Sequence, residues 1–335
     1  MAYQNVGKPR FYIDIPTYLN SIGADYGEGF DNSLFNLNPI TPSIFLENKD
    51  SVYSKNINLP YTFNELCNPN KFYCAMLNHN INHTNEASGY NLDFEKYDEG
   101  TGITNRVAVL NYADDVYLQG STILTGEVTE DINYLNLSSI YMAEDSYAGS
   151  ISFGSYYDMN ESADLDLTME IEFDGYNSFQ TMGGSTLTNV RYNGSPFWND
   201  KNGNKVECFS VGESQGVFKR NGRRNWNLKF SYISDVNLFA SNYMANDYLE
   251  NSTDYNSNDI TSDGNNFEYT LNNDDSFIAQ VLNKVGNGDK FIFQPDNTNN
   301  NPDQFAICVL DQDSLSIKQV AYKIYDISLK IREVW

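Results

Sequence analysis

Positive charge is scarce in this sequence. It has 21 Lys and Arg residues against 45 Asp and Glu residues, and its formal net charge is −24. Nucleic-acid phosphates and anionic membrane surfaces both attract proteins through clustered cations. The charge balance therefore argues against nucleic-acid binding and against adhesion to a membrane. The four cysteines, Cys67, Cys74, Cys208 and Cys308, are too few for a disulfide framework in so long a chain.

Long hydrophobic runs and familiar catalytic motifs are also missing. No apolar run approaches the roughly 20 residues of a membrane span, and residues 1–15 lack the apolar core of a signal peptide. There is no P-loop, dinucleotide fingerprint, G-x-S-x-G elbow or H-E-x-x-H zinc motif. We therefore expect no membrane insertion and no enzyme activity.

The sequence also offers little that could hold a metal or cofactor. Its only two histidines, His79 and His83, have an i, i+4 spacing that would suit a metal on a helix, but turn residues are the commoner interpretation. Calcium in the acidic loops at 93–99 and 311–313 is an alternative, although neither has the pattern of an EF-hand loop. We expect no cofactor.

Apolar and aromatic residues are abundant. Hydrophobic residues make up 40% of the chain and aromatic residues 14%, so the chain can bury a core and is not intrinsically disordered. A length of 335 residues is sufficient for two domains of ordinary size.

Short stretches of alternating apolar and polar residues recur along the chain and predict a mainly β fold. Such strands are predicted at 10–15, 72–77, 90–95, 106–112, 116–123, 132–142, 149–157, 164–173, 226–233, 291–296, 304–311 and 320–335. In the stretch 164–173, Leu165, Leu167, Met169, Ile171 and Phe173 are expected to pack, while Asp166, Glu170 and Glu172 face solvent.

Helices are few in this interpretation. Asp274 or Asp275 can cap a helix over 275–285 that ends at Gly286, and a second helix is predicted over 235–246. Residues 16–23 suit one or two helical turns after Pro16, and 23–60 have the composition of a loop or arm. The C-terminal strand is expected to pair antiparallel with 226–233 and to bury four of its residues. These are Tyr325, Ile327, Leu329 and Ile331.

A basic stretch between 207 and 233 contrasts with the acidic chain. Its cations are Lys219, Arg220, Arg223, Arg224 and Lys229. One interpretation is a docking edge that meets the acidic residues of a neighbouring copy. Reversing the charges of Arg223 and Arg224 would then block assembly without unfolding the monomer. The other is a hairpin turn at Asn221-Gly222 with the arginines as a solvated rim.

Two groups of segments resemble known phage proteins. LNHNI at 77–81, with the later GSISFGSYYDM at 149–159, resembles the discoidin-like (galactose-binding-type) jelly rolls built into structural proteins of tailed bacteriophages. DLDLTMEIEFDG, GRRNWNLKFSYISD and YDISLKIREVW look like virion structural proteins from tailed phages of marine bacteria. Their layout is also similar to that of distal-tail and minor-tail proteins.

The resemblance implies a specific organisation. An N-terminal strand and arm (1–45) precede a jelly-roll or β-sandwich domain (46–157) and a β-rich tail-type assembly domain (158–335) with one or two helices. The chain would be a tail or baseplate subunit of a virion, assembled in the host cytoplasm into a ring of its own copies that contacts other virion proteins.

Two further functions stay open from the sequence. The jelly roll could bind host surface glycans, with stacking platforms at Tyr90, Tyr97, Tyr112 and Tyr117, although aromatic residues on strands more often belong to the core. A glycan-degrading enzyme is the third hypothesis, but the 45 acidic residues single out no catalytic pair.

Overall fold

The structure, a computed structural model, describes most but not all of the chain. The described residues are 6–23, 34–40, 43–44, 53–58, 66, 71–79, 89–98, 103–110, 116–118, 121–126, 134–140, 147–165, 168–172, 174–193, 198–199, 205–206, 222–240, 274–286, 288–301 and 304–334.

Strands dominate the described part of the chain. Before residue 160 they are β1 (Arg10–Ile13), β2 (Ser43–Ile44), β3 (Tyr53–Asn58), β4 (Phe72–Leu77), β5 (Gly89–Asp98), β6 (Ile103–Leu110), β7 (Val116–Leu118), β8 (Ser121–Gly126), β9 (Tyr134–Ile140), β10 (Tyr147–Ala148) and β11 (Ser150–Asp158). After it they are β12 (Thr168–Glu172), β13 (Asp174–Gln180), β14 (Thr186–Asn193), β15 (Trp198–Asn199), β16 (Lys205–Val206), β17 (Arg223–Ser234), β18 (Phe291–Gln294), β19 (Ala306–Leu310), β20 (Ile317–Ala321) and β21 (Ile324–Glu333).

The helical segments are short. Asp14 caps α1 (Ile15–Ser21), and Pro16 lies in its first turn, as the sequence predicts. The segment expected over 275–285 is helical, but Ile278–Leu282 is a π-helix, followed by the single turn Asn283–Val285. The helix predicted over 235–246 begins at Asp235 but ends at Leu238, because Phe239 already has extended dihedral angles. We label the turn Asp235–Leu238 as α2 and the turn Asn283–Val285 as α3. Residues 241–246 lie outside the described residues.

One large antiparallel sheet organises the molecule. Its strand order is β12-β17-β21-β19-β18-β1-β11-β4-β8-β7, with β20 also paired to β21. A second sheet has the order β3-β9-β5-β6, and β13-β14 form a separate hairpin. The mainly β prediction is confirmed and is consistent with a β-sandwich. The strands of 46–157 belong to the large sheet, to the second sheet and, for β10, to a small pair with β2. Residues 53–58, expected in a loop or arm, form β3 instead.

The N-terminal strand β1 lies in the middle of the large sheet. Phe11 is opposite Phe293 of β18 on one side and opposite Tyr157 of β11 on the other. Strands from 1–45, 46–157 and 158–335 therefore share one hydrogen-bonded sheet. The division into domains at these boundaries stays a prediction.

Both faces of this sheet carry a hydrophobic core. On one face Phe11, Trp226 and Phe293 pack with the helical segment that follows Phe277. On the other, Tyr12 and Tyr73 pack with their ring centroids 5.1 Å apart. Because both faces are covered, β4 and β18 are buried at every residue, and this explains their uninterrupted apolar sequences.

The pairing predicted for the C-terminus is confirmed. Trp226 of β17 is opposite Ile331 of β21, Leu228 is opposite Leu329, and Phe230 is opposite Ile327. The last predicted strand, 320–335, is divided, because the chain turns at Tyr322 and Lys323 and makes a hairpin of β20 and β21. Tyr325 is only partly buried and packs against Phe239 at 5.2 Å.

The prediction for 164–173 is wrong at two positions. Leu165 and Ile171 are exposed, and Met169 alone of the described apolar residues packs partly against the core. β12 is the end strand of the sheet. Its alternating residues give it an apolar face, but few residues of the described structure cover that face. Asp174-Gly175, a residue pair that from the sequence alone predicts a turn, begins β13 instead.

Candidate functional site

Arg224 of the basic stretch is held inside the molecule. Its guanidinium donates two hydrogen bonds to the carboxylate of Glu333, Nε to Oε2 at 3.0 Å and Nη2 to Oε1 at 2.9 Å. Nη2 also donates to the carbonyl oxygen of Phe305 at 2.9 Å. Both charged side chains are mostly buried. A charge compensated in this way offers little to an acidic partner.

The arginines of β17 lie opposite an acidic strand of their own chain, whereas the docking-edge interpretation has them meet the acidic residues of a neighbouring copy. In the β12-β17 pair, Glu172 is opposite Arg223 and Ile171 is opposite Arg224. Glu172 also accepts a hydrogen bond from Arg332 at 2.9 Å, which lowers the pKa of the carboxyl group, and the charge of Arg223 lowers it further. The strand register therefore neutralises this part of the cluster.

The rest of the basic stretch adds little to a docking edge in the described structure. Lys229 lies 3.7 Å from Asp164 in a mostly exposed ion pair, an interaction typically worth 0–1 kcal/mol. Gly222 is needed for close packing, because a Cβ there would lie 2.0 Å from the carbonyl oxygen of Glu172. Lys219 and Arg220 lie outside the described residues, so their assembly role stays a prediction.

The candidate stacking tyrosines are not brought together on any described surface. Tyr90 and Tyr97 are in β5 and Tyr117 is in β7, strands whose side chains are not described. Tyr112 lies outside the described residues. Glycan stacking by these four residues stays a prediction.

The candidate metal positions have ordinary structural roles where the structure describes them. His79 is buried, and its Nε2 lies 2.9 Å from Oγ1 of Thr122; His83 lies outside the described residues. The acidic stretch 93–98 is part of strand β5 and not of a loop. Among the described residues no group of three or more His, Cys, Asp and Glu side chains is arranged to hold a metal ion, and no helix is long and apolar enough to cross a membrane.

A buried carboxylate links two strands of the large sheet to helix α1. Asp14 accepts a hydrogen bond from Ser152 Oγ at 2.7 Å, and Ser152 Oγ lies 2.7 Å from the hydroxyl of Tyr73. Asp14 also accepts from the backbone and hydroxyl of Thr17. Burial raises the pKa of Asp14 to about 6 although these hydrogen bonds oppose the shift. The groups satisfy one another and fasten β4, β11 and α1 together.

The hairpin β13-β14 is highly exposed where its side chains are described. All residues from 177 to 189 except Thr181 are exposed, so both faces of this part of the hairpin are in solvent. Phe179 is opposite Leu187, with 58% and 49% of their surfaces exposed, and Met182 at the turn is fully exposed. In the described part of the chain, β13 and β14 pair only with each other.

Between Asp174, which begins β13, and Arg191 in β14, the hairpin has no charged residue. Residues 175–190 contain no Asp, Glu, Lys or Arg, although charged residues make up 20% of the chain. This lack of charge is visible in the sequence itself, although it is less conspicuous there than the basic stretch. We call residues 175–190, which carry no charged side chain, the neutral hairpin.

A second exposed apolar surface lies where β17 meets α2. A β-bulge between Phe230 and Ile233 shifts the register, so Ile233 takes the buried position and Tyr232 points to solvent with 75% of its surface exposed. Tyr232 has a φ of 62°, a left-handed backbone conformation that costs about 1–3 kcal/mol for a residue other than glycine. The sequence pattern, which placed Tyr232 on the buried face, does not reveal this bulge.

Neighbouring residues extend this surface. The backbone N–H of Tyr232 donates to Asp326 at 3.1 Å, and that of Asp235 donates to the carbonyl oxygen of Lys323 at 2.9 Å. These bonds hold the turn at 322–323 beside α2, where Tyr322 and Val236 are also largely exposed. We call Tyr232, Val236 and Tyr322 the aromatic patch.

A small cleft adjoins the aromatic patch. It has a volume of about 100 Å³, and Tyr157, Met159 and Phe277 line it together with Tyr232. Asn160 and Asn237 add polar groups to the lining. The hydroxyl of Tyr157 donates to the carbonyl oxygen of Asn237 at 3.1 Å and fixes α2 against β11.

Comparison with protein-family models, with curated proteins and with solved structures gives no match to this chain. The surfaces described above are therefore the basis for a functional proposal, together with the resemblance of the sequence segments.

Proposed function

We propose that this chain is a structural subunit of a tailed-phage virion, in the tail or baseplate, that assembles with copies of itself. The observation that carries the proposal is the neutral hairpin. It exposes Phe179, Met182 and Leu187 on a strongly acidic protein and is attached to the described structure through β12.

The physical argument concerns the stability of such an element. A two-stranded hairpin is marginally stable in water unless its residues pack against something else. Exposed apolar residues on an element with unpaired edges also promote association with other chains. A neutral hairpin is suited to assembly because it can approach a copy of net charge −24 without like-charge repulsion.

The resemblance of the segments at 77–81, 149–159, 164–175, 222–235 and 325–335 to phage structural proteins supports a virion over other assemblies. A ring is the expected form, since copies that bind through two different surfaces close into rings when the rotation between them allows it. Virion proteins that neighbour the tail or baseplate would be its other partners.

Two measurements test the proposal. Analytical ultracentrifugation of the purified chain should show concentration-dependent association to a defined oligomer, and negative-stain electron microscopy should show rings. Peptides of the chain should be found by mass spectrometry in gradient-purified particles of the phage whose genome encodes it. A chain that stays monomeric at every concentration and is absent from such particles contradicts the proposal.

The glycan hypotheses have separate measurements. Binding on a glycan array would assign the chain a recognition role alongside assembly. Turnover of a purified polysaccharide would contradict the prediction that the chain is not an enzyme.

A further inference from the structure

The neutral hairpin and the aromatic patch lie at opposite ends of the same strand. Glu172 pairs with Arg223 at the beginning of β17, and β13 starts two residues after Glu172. Tyr232 lies nine residues further along β17, a distance of about 30 Å at roughly 3.3 Å per residue. Two different apolar surfaces on opposite ends of a subunit suit a head-to-tail contact and not a two-fold one.

The acceptor end can receive an apolar side chain. Tyr157, Met159 and Phe277 provide apolar surface in the cleft, and the outward ring of Tyr232 extends it to the solvent. The left-handed backbone of Tyr232 costs free energy in an isolated monomer, and nothing in the described structure covers its ring to offset that cost. Burial of the ring by a neighbouring copy would offset the free-energy cost of this backbone conformation.

The donor end matches the acceptor in charge and polarity. Glu161 lines the cleft, Asp235 begins α2 and Asp326 accepts from Tyr232, against one lysine, Lys323, whose ammonium lies 5.8 Å from the ring centroid of Tyr322. Acidic groups therefore predominate among these neighbours of the acceptor and would repel an acidic donor. The neutral hairpin brings no charge, and Met182 is at its turn. Its uncharged polar side chains, among them Gln180, can form hydrogen bonds with Asn160 and Asn237 of the acceptor.

We propose that the neutral hairpin of one copy docks head-to-tail onto the aromatic patch and cleft of the next copy. This inference rests on the proposed self-assembly and names the two surfaces that produce it. Met182 and the Phe179–Leu187 pair of the donor cover Tyr232 of the acceptor, and repetition of the contact builds the ring.

Sedimentation of single variants tests the two surfaces. Met182→Asp and Tyr232→Gly should each weaken association at least tenfold, while Ile22→Asp, at an exposed apolar position on neither surface, should associate like the wild type. Met182→Asp should melt at the wild-type temperature. Tyr232→Gly should melt at or above it, since glycine adopts a positive φ without strain. A purely structural role for Tyr232 would instead lower the melting temperature.

Cross-linking of mixed copies tests the head-to-tail arrangement. Chains with Met182→Cys and chains with Val236→Cys, treated with a short bis-maleimide, should yield a cross-linked dimer when mixed and none when either is treated alone. The wild-type chain, which has only its native cysteines, is treated in the same way as the control. Equal cross-linking of Met182→Cys with itself overturns the head-to-tail contact.

The outcomes separate this inference from the proposed function. Wild-type assembly together with unimpaired assembly of both variants overturns the assignment of the surfaces and leaves self-assembly standing. A wild-type chain that remains monomeric overturns both.

Discussion

Arg224 and Glu333 form a two-point ion pair across β17 and β21, with both N···O distances at or below 3.0 Å. Glu333 also accepts a hydrogen bond from the backbone N–H of Arg224 at 3.0 Å. Arg224, which the sequence predicted to contact a neighbouring copy, thus binds the C-terminal strand of its own chain. A mutation of Arg224 therefore changes the stability of the monomer as well as any assembly contact.

Charge reversal at Arg224 should destabilise the monomer. R224E places a second carboxylate beside Glu333 in a mostly buried position, and removal of one partner from a buried pair typically costs about 3–5 kcal/mol. We expect a loss at the lower end of that range, measured by urea unfolding. A matched K229E substitution at the mostly exposed pair should cost less than about 1 kcal/mol. Equal and small effects would show that the Arg224 pair is solvated.

The C-terminal strand should be indispensable for folding. Removal of residues 324–335 takes β21 from between β17 and β19, and we expect no cooperative thermal transition. At single-residue resolution, Leu329→Ala should cost about 2–5 kcal/mol because the side chain is buried. Ser328→Ala, at the adjacent exposed position, should change the free energy of unfolding by less than about 0.5 kcal/mol. A truncated chain that melts at the wild-type temperature would contradict the pairing.

Gly154 should not tolerate a side chain. A Cβ at this position would lie 2.1 Å from the carbonyl oxygen of Ile13 and 2.8 Å from a side-chain carbon of Ile15. We expect Gly154→Ala to lower the free energy of unfolding by about 1–3 kcal/mol or more. Gly183→Ala in the neutral hairpin is the control, since a Cβ there meets nothing within 4 Å. Denaturant unfolding of both variants measures the difference.

Asp14 should make the chain more stable at mildly acidic pH. Its pKa of about 6 in the folded state lies above the 3.8 of an exposed carboxyl group, so the folded state binds more protons between these values. Lowering the pH from 8 to 4.5 should therefore stabilise the wild type by about 2 kcal/mol relative to Asp14→Asn. Unfolding of both chains across this range tests the sign. A difference that is constant with pH would mean that Asp14 does not titrate in this window.

Local alternation in the sequence was sufficient to place β11, β17 and β21 and to predict that the last two pair, and an unbroken apolar run was sufficient to place β4. Period-two patterns identify which face of a strand can be buried, and Trp226 opposite Ile331 follows from two such faces meeting. The same alternation failed for β12, because it does not state whether any layer covers the face of an end strand. Ile171 of β12 is exposed for that reason, and Leu165, also exposed, lies before the strand begins.

The candidate surfaces depended on the tertiary structure. The sequence showed that Arg224 is basic and Tyr232 is apolar, but strand register placed Arg224 beside Glu333, and a bulge of one residue turned Tyr232 outward. The position of β1 between β18 and β11 likewise pairs residues that are more than 140 positions apart. Residue types and periodicity are local properties that the sequence determines by itself. Register, bulges and sheet order arise from long-range hydrogen bonding and packing, and only the tertiary structure decides them.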